Sequence, residues 1–198
     1  MNTSVSKAEL RKIYLEKRKK LALSEVESYS REIVNCFLSS FKLMENQKVH
    51  TFLPIEKFNE INTQHLIDFF WKNKIKVFVP KVMGNHMLSV ELRPDTVLVK
   101  NSWGILEPQV HKNVEIKDFD FIITPLLYCD NQGNRVGYGK GFYDRFFLSA
   151  GSNALKVGFN YFPPNEQISD VSGSDIPLDY LVTRDEVFSF SLKSKSIK

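Results

Sequence analysis

Cysteine and glycine are scarce in this chain, and long apolar runs are missing. Its 198 residues hold two cysteines, Cys36 and Cys129. Two are too few for a disulfide framework and lack the CxxC spacing of a metal site, so both read as buried thiols. No run of about 18 apolar residues occurs, so no helix is expected to cross a bilayer. The opening MNTSVSKAELRK has no apolar core of the secretory kind, and a cytoplasmic protein is the expectation. The four histidines, His50, His65, His86 and His111, fall in no metal-ligand spacing. No Ser/His/Asp or Cys/His arrangement stands out, and neither internal repeats nor a Pro/Gly/Ser-rich linker interrupts the sequence.

What the chain does contain is apolar and aromatic: 42% hydrophobic residues and 16 Phe, enough for one sizeable core. A single domain over residues 1–198 is expected, with a frayed Ser/Lys tail over about 192–198. The net charge of +4 comes from 27 basic and 23 acidic side chains. That surplus is too small to require nucleic acid and suits a small anionic ligand. Lys7, Arg11, Lys12, Lys17, Arg18, Lys19 and Lys20 crowd the first segment, where a solvated basic helix face is the simplest reading.

Ala8, Leu10, Tyr14, Leu15 and Leu21 predict an amphipathic helix from Ser6 to about Leu23. Ser24 and Glu27 have the capping-box spacing before a second helix, whose apolar face is Val26, Ile33, Val34, Phe37, Leu38 and Phe41. A strand over Lys48 to Leu53, a helix from Asn62 or Thr63 to about Lys72 and a strand over Ile75 to Val79 form a βαβ unit. Further strands are predicted at Met87 to Leu92, Phe119 to Thr124, Leu155 to Phe159, Leu181 to Thr183 and Val187 to Phe190, with a helix over Phe142 to about Ala150. Alternating strands and helices favour a three-layer α/β fold.

Four of only nine glycines, Gly133, Gly137, Gly139 and Gly141, fall within nine residues. Glycine permits positive φ and close approach of backbone N–H groups, so such a stretch ahead of a helix can form an anion-binding nest. Arg135 and Lys140 add positive charge, and Asp144 a carboxylate able to reach a phosphate-bound magnesium ion. The segment is neither a P-loop nor a dinucleotide fingerprint, and on spacing alone a tight glycine-rich turn remains open.

The run GNRVGYGKGFYDR over residues 133–145 resembles the signature of the 5-formyltetrahydrofolate cyclo-ligase family. Other pieces follow in the family's order: KAELR at Lys7 to Arg11, EINT at Glu60 to Thr63, SWGILEP at Ser102 to Pro108, and DIPLD at Asp175 to Asp179. The chain departs from the pattern where Leu126 follows Pro125, where Phe142 replaces a common tyrosine, and where Ser174 precedes Asp175.

The resemblance implies an α/β/α fold with a mostly parallel, Rossmann-like sheet (NagB/RpiA/CoA-transferase-like). It also implies ATP as co-substrate with Mg2+, a folate substrate, a monomer, and neither nucleic acid nor membrane as partner. For ATP it implies Lys7, Arg11, Gly133, Arg135, Val136, Gly137, Tyr138, Gly139, Lys140, Gly141, Phe142 and Tyr143. Leu53, Glu60 and Trp103 join the residues from Gly139 to Tyr143 around the folate, and Asp144 and Asp175 approach the metal. Catalysis falls to Arg135, Lys140 and Tyr143. Loss of Arg135 or Lys140 is expected to lower turnover more than stability. A kinase or ligase acting on another small carboxylate or amide would share the ATP loop without the pterin pocket.

Overall fold

The computed structural model describes residues 4–101, 104–109, 116, 118–151 and 153–190. Trp103 and the tail over 192–198 lie outside them. The chain opens with β1 (Ser4–Val5), α1 (Lys7–Lys19) and α2 (Leu23–Ser40). Then come β2 (Lys48–His50), α3 (Gln64–Lys72), β3 (Lys76–Met83), β4 (His86–Leu92), β5 (Leu98–Lys100) and β6 (Leu106–Pro108). The second half holds β7 (Phe121–Pro125), β8 (Tyr128–Cys129), β9 (Arg135–Val136), α4 (Phe142–Ser149), β10 (Leu155–Phe159), β11 (Gln167–Ile168), β12 (Tyr180–Val182) and β13 (Val187–Ser189).

Among the described residues the main sheet has seven strands in the order β13-β12-β10-β7-β2-β3-β4. The five inner strands run parallel, and β4 and β13 close the two edges antiparallel. Side chains alternate between the faces because successive Cβ atoms point opposite ways. Val77, Val79, Phe121, Ile123, Tyr180 and Val182 pack with α2 and α3, whereas Phe78, Ile122 and Leu181 pack with α4. Helices therefore cover both faces, as the near-continuous apolar strands require.

Chain order sets where a ligand can enter. From β2 the chain builds outward through β3 and β4, then returns to β7 on the other side of β2 and builds outward through β10 and β12. The crossovers diverge between β2 and β7, which leaves a crevice at the carboxyl ends of these strands.

Several predicted boundaries move, each for a local reason. The cap of α2 is not Ser24 with Glu27. Glu25 instead accepts from Ala22 N–H at 2.8 Å, while Glu27 is taken by Arg31 and His65 at 3.0 Å each. The strand from Lys48 ends at His50, Thr51 N–H still donates to Phe78 O at 2.8 Å, and Phe52 and Leu53 line the crevice. Strand β3 continues to Met83 because β4 pairs with it across a turn at Gly84, φ +58°. Pro80 is tolerated there because β2 pairs no further than Phe78, leaving the β2 side of β3 without a ladder.

The glycine-rich segment begins as a hairpin, β8 paired with β9, rather than as one loop. Asp130 closes the hairpin by accepting from the N–H of Gln132 and Asn134 at 3.0 and 2.9 Å.

Candidate active site

A cavity of about 890 Å³ occupies the crevice. Its floor comes from the chain leaving β2 (Phe52, Leu53) and from Pro125 at the end of β7. One wall is the segment from Arg135 through Asp144, and the opposite wall includes Pro80, Val82 and Met87. Lys7, Arg11, Glu60 and Asp175 also line it. Residues far apart in sequence thus converge on one space.

Helix α1 holds the glycine segment in place. Its Ser6–Glu9 capping box fixes the helix start. Positions 7, 11, 14 and 18 then share one face. Lys7 pairs with Asp175, Arg11 donates from Nε to Gly137 O at 2.9 Å, and Tyr14 is buried. Arg18, placed by sequence among the solvated lysines, is only 3% exposed. It donates to Phe58 O at 2.7 Å and to the Tyr138 hydroxyl. The signal lay in its register, four residues beyond Tyr14 and eight beyond Leu10.

Four of the polar residues form two ion pairs. Arg135 donates to Asp144 Oδ1 at 2.6 Å and also to Ile176 O, and its guanidinium lies 4.6 Å from the Phe147 ring centroid. Burial pulls the Arg135 pKa down, opposed by Asp144. Burial would raise Asp175, but Lys7, the Ser172 N–H and Arg135 outweigh it and hold the carboxyl below its usual value. Lys140 differs: its side chain is exposed at the rim, and among the described residues its ammonium has no hydrogen-bond partner.

Beyond Lys140, Gly141 takes φ +64° and begins α4 without a side-chain cap. Phe142 and Tyr143 form the first turn of α4 and line the cavity. The Tyr143 hydroxyl is buried without a hydrogen-bond partner, and burial drives its pKa far up, so it stays protonated. An orphaned buried hydroxyl carries a desolvation cost that a bound ligand can relieve.

Glu60, 3% exposed, points its carboxylate between two walls. Oε2 accepts from Ile55 N–H at 2.8 Å, and Oε1 accepts from the Tyr138 hydroxyl at 2.7 Å. Burial raises its pKa, against the opposing effects of Arg18, Tyr138 and the Ile55 N–H.

Gly133, expected in the ATP set, is not among the residues that line the cavity. It lies off the cavity at the tip of the β8–β9 hairpin, with φ +84°, and a Cβ there would meet Leu178 O at 2.8 Å and the Phe190 ring at 2.9 Å. It is a packing glycine. Gly137, Gly139 and Gly141 stay on the cavity wall, as does the backbone of buried Val136. Trp103 lies outside the described residues. Sequence reasoning missed Arg18, and it missed Phe52, Pro80, Val82 and Met87, whose apolar character reads as ordinary core without the sheet order.

No group of three His, Cys, Asp or Glu side chains able to cage a metal occurs among the described residues. Magnesium does not need one, since it commonly binds through one or two carboxylates plus substrate phosphates and retained waters. Asp144 and Asp175 fit that role, each held close to the cavity by a cation.

Crevice, glycine wall and buried acidic and cationic side chains define an α/β enzyme with one cleft of about 890 Å³. A sequence profile described as the 5-formyltetrahydrofolate cyclo-ligase family matches residues 3–164. The chain belongs to that family and is an enzyme of the ligase class. The 5-formyltetrahydrofolate cyclo-ligase of Haemophilus influenzae is 33% identical over 130 residues, 62% of this chain and 70% of its own. The probable 5-formyltetrahydrofolate cyclo-ligase of Schizosaccharomyces pombe is 30% identical over 205 residues, covering 93% and 98% of the two chains. The solution structure of Aquifex aeolicus 5,10-methenyltetrahydrofolate synthetase superposes with a TM-score of 0.78 at 32% identity, over 93% of this chain and 92% of that one.

Proposed function

We propose that the protein converts 5-formyltetrahydrofolate to 5,10-methenyltetrahydrofolate at the expense of ATP, releasing ADP and phosphate. One observation carries the reading: the uncapped glycine wall with Lys140 and the apolar pocket with Glu60 and Leu53 line a single cavity of about 890 Å³. A triphosphate and a donor-rich heterocycle can meet there.

A formamide oxygen is a poor leaving group. Transfer of the γ-phosphoryl group to that oxygen gives an iminium phosphate, which N10 attacks to close the ring. The C–O bond then breaks, phosphate leaves with the oxygen, and N10 loses its proton. The protein's part is positioning and charge stabilisation, as in phosphoryl transfer generally. Lys140 and the loop N–H groups receive the transferring charge, Arg135 orients Asp144, and the Tyr143 hydroxyl donates into the cavity. Glu60 accepts from the amide and amino N–H groups along the pterin edge, and Leu53 packs against its ring. Asp144 and Asp175 are the residues that would hold Mg2+, which would supply charge neutralisation on the phosphates.

The same reading assigns the sheet to the Rossmann-like, CoA-transferase-related class and the protein to the cytoplasm as a monomer. Incubation with 5-formyltetrahydrofolate and magnesium, with and without ATP, tests the reaction through the near-ultraviolet absorbance of the methenyl product. ATP-dependent growth supports it. Nucleotide binding without that signal overturns the folate assignment and favours another small-molecule kinase or ligase.

A further inference from the structure

Tyr138 sits between the two halves of the cleft. It lies on the glycine wall between Gly137, whose carbonyl accepts from Arg11, and Gly139, whose α-carbon faces the Arg11 guanidinium. Yet its hydroxyl reaches across to the Glu60 carboxylate at 2.7 Å. Arg18 backs the contact, donating to the same hydroxyl while Nη2 stands 3.9 Å from Glu60 Oε1. Arg18 is in turn locked by two main-chain carbonyls, Phe58 O and Leu126 O. The Phe58 ring packs 5.4 Å from that of Tyr138. Buried Glu60 and Arg18 thus meet at the Tyr138 hydroxyl, which belongs to the glycine wall.

We infer that Tyr138 is a positioning residue that couples the two substrates, transmitting a nucleotide's displacement of the glycine wall to the orientation of the Glu60 carboxylate. This rests on the proposed reaction for the identity of the second ligand. The coupling itself needs only that something binds each side. The hydroxyl can follow the wall only by lengthening or redirecting its bond to Glu60, because Arg18 is fixed to the other side of the cleft. A buried carboxylate that loses a donor must find another, and the substrate's N–H groups are the donors that enter there. Nucleotide and folate then favour the same arrangement, which is a coupling free energy between sites.

The test uses the full chain labelled with 13C at tyrosine Cζ and glutamate Cδ, with Tyr138→Phe and Glu60→Gln assigning the two resonances. A non-hydrolysable ATP analogue with magnesium is added alone, and 5-formyltetrahydrofolate is then titrated with and without it. Both resonances are expected to move together on adding the analogue. The analogue should tighten folate binding by a factor within the usual range of about 5 to 150, and in Tyr138→Phe that gain should fall to about one. Tyr138→Phe keeps the ring against Phe58, so a loss of coupling does not reflect a collapsed wall. Resonances that ignore the analogue, or a variant that keeps the full gain, overturn the inference. If the resonances move together but 5-formyltetrahydrofolate fails to bind the wild type, the coupling stands and the proposed reaction falls.

Discussion

Arg135 and Asp144, read from sequence as a phosphate ligand and a metal ligand, are bound to each other, Nη2 to Oδ1 at 2.6 Å. The Arg135 side chain is 7% exposed and that of Asp144 28%. Removing one member of such a pair strands the other. Arg135→Ala is therefore expected to cost about 2 to 4 kcal/mol of stability along with activity, a melting-point loss of about 5 to 15 °C for a chain of this size. The sequence-based expectation is that turnover falls more than stability for both cations; the ion pair adds a substantial stability loss for Arg135. Lys140→Ala, at the exposed rim, should lower kcat about 100-fold or more and leave the melting point within about 1 °C. Thermal melts beside single-turnover rates check both; equal melting losses in the two variants would refute the distinction.

Two glycines of the same segment should fail differently. Gly133→Ala forces a Cβ within 2.8 Å of Leu178 O at φ +84°, so it should destabilise by a few kcal/mol, about 2 to 4. Gly139→Ala, at φ +85°, meets only the Arg11 guanidinium at 3.4 Å. It should cost about 1 to 2 kcal/mol of backbone strain and weaken nucleotide binding by moving Arg11. Urea unfolding and nucleotide titration separate them; strong loss of nucleotide affinity in folded Gly133→Ala would refute the packing role.

For Tyr143, whose hydroxyl is buried without a partner, the phenylalanine variant removes an unsatisfied group. Stability should hold or rise slightly, while kcat falls with little change in KM for nucleotide. A stable variant with full kcat would remove the phenol from the chemistry.

His50 sits in β2 under α4, its Nδ1 2.8 Å from Ser89 Oγ and its ring 4.5 Å from that of Phe146. Burial holds its pKa down at about 3, against an ordinary value of 6.5. The native state binds fewer protons there than the unfolded chain, so this contribution is complete above pH 6.5 and is lost as pH falls toward 3. Between those limits His50 contributes a slope of up to about 1.4 kcal/mol per pH unit. His50→Phe should flatten that slope. Urea midpoints at pH 7 and pH 5 measure it; an unchanged slope would assign it to other groups.

How much was legible follows from how local each signal is. The helices α1, α3 and α4 and the strand β10 announced themselves through apolar periodicity, which is a property of neighbours in sequence. The α2 cap was misread because Ser24 and Glu27 satisfy the spacing, while Glu25 wins through the backbone N–H of Ala22 and Glu27 is claimed by Arg31 and His65. The glycine wall was visible, but Gly133 could be separated from Gly139 only by what lies opposite, Leu178 and Phe190 in one case and Arg11 in the other. Arg18 was hidden because a buried guanidinium and a solvated one have the same letter. Its register with Leu10 and Tyr14 was the one sequence signal, and the carbonyls of Phe58 and Leu126 that satisfy it come from distant segments.

Helix α1 carries a consequence for how the enzyme opens. From 13 residues it fastens the Asp175 segment through Lys7, the glycine wall through Arg11 and the Glu60 turn through Arg18. Three segments of the cleft wall are thus fastened to one short amphipathic rod. Slow exchange of the α1 amides would mark a locked pocket and fast exchange a slack one, so bound substrates should protect this helix, which contributes no strand to the sheet they sit on.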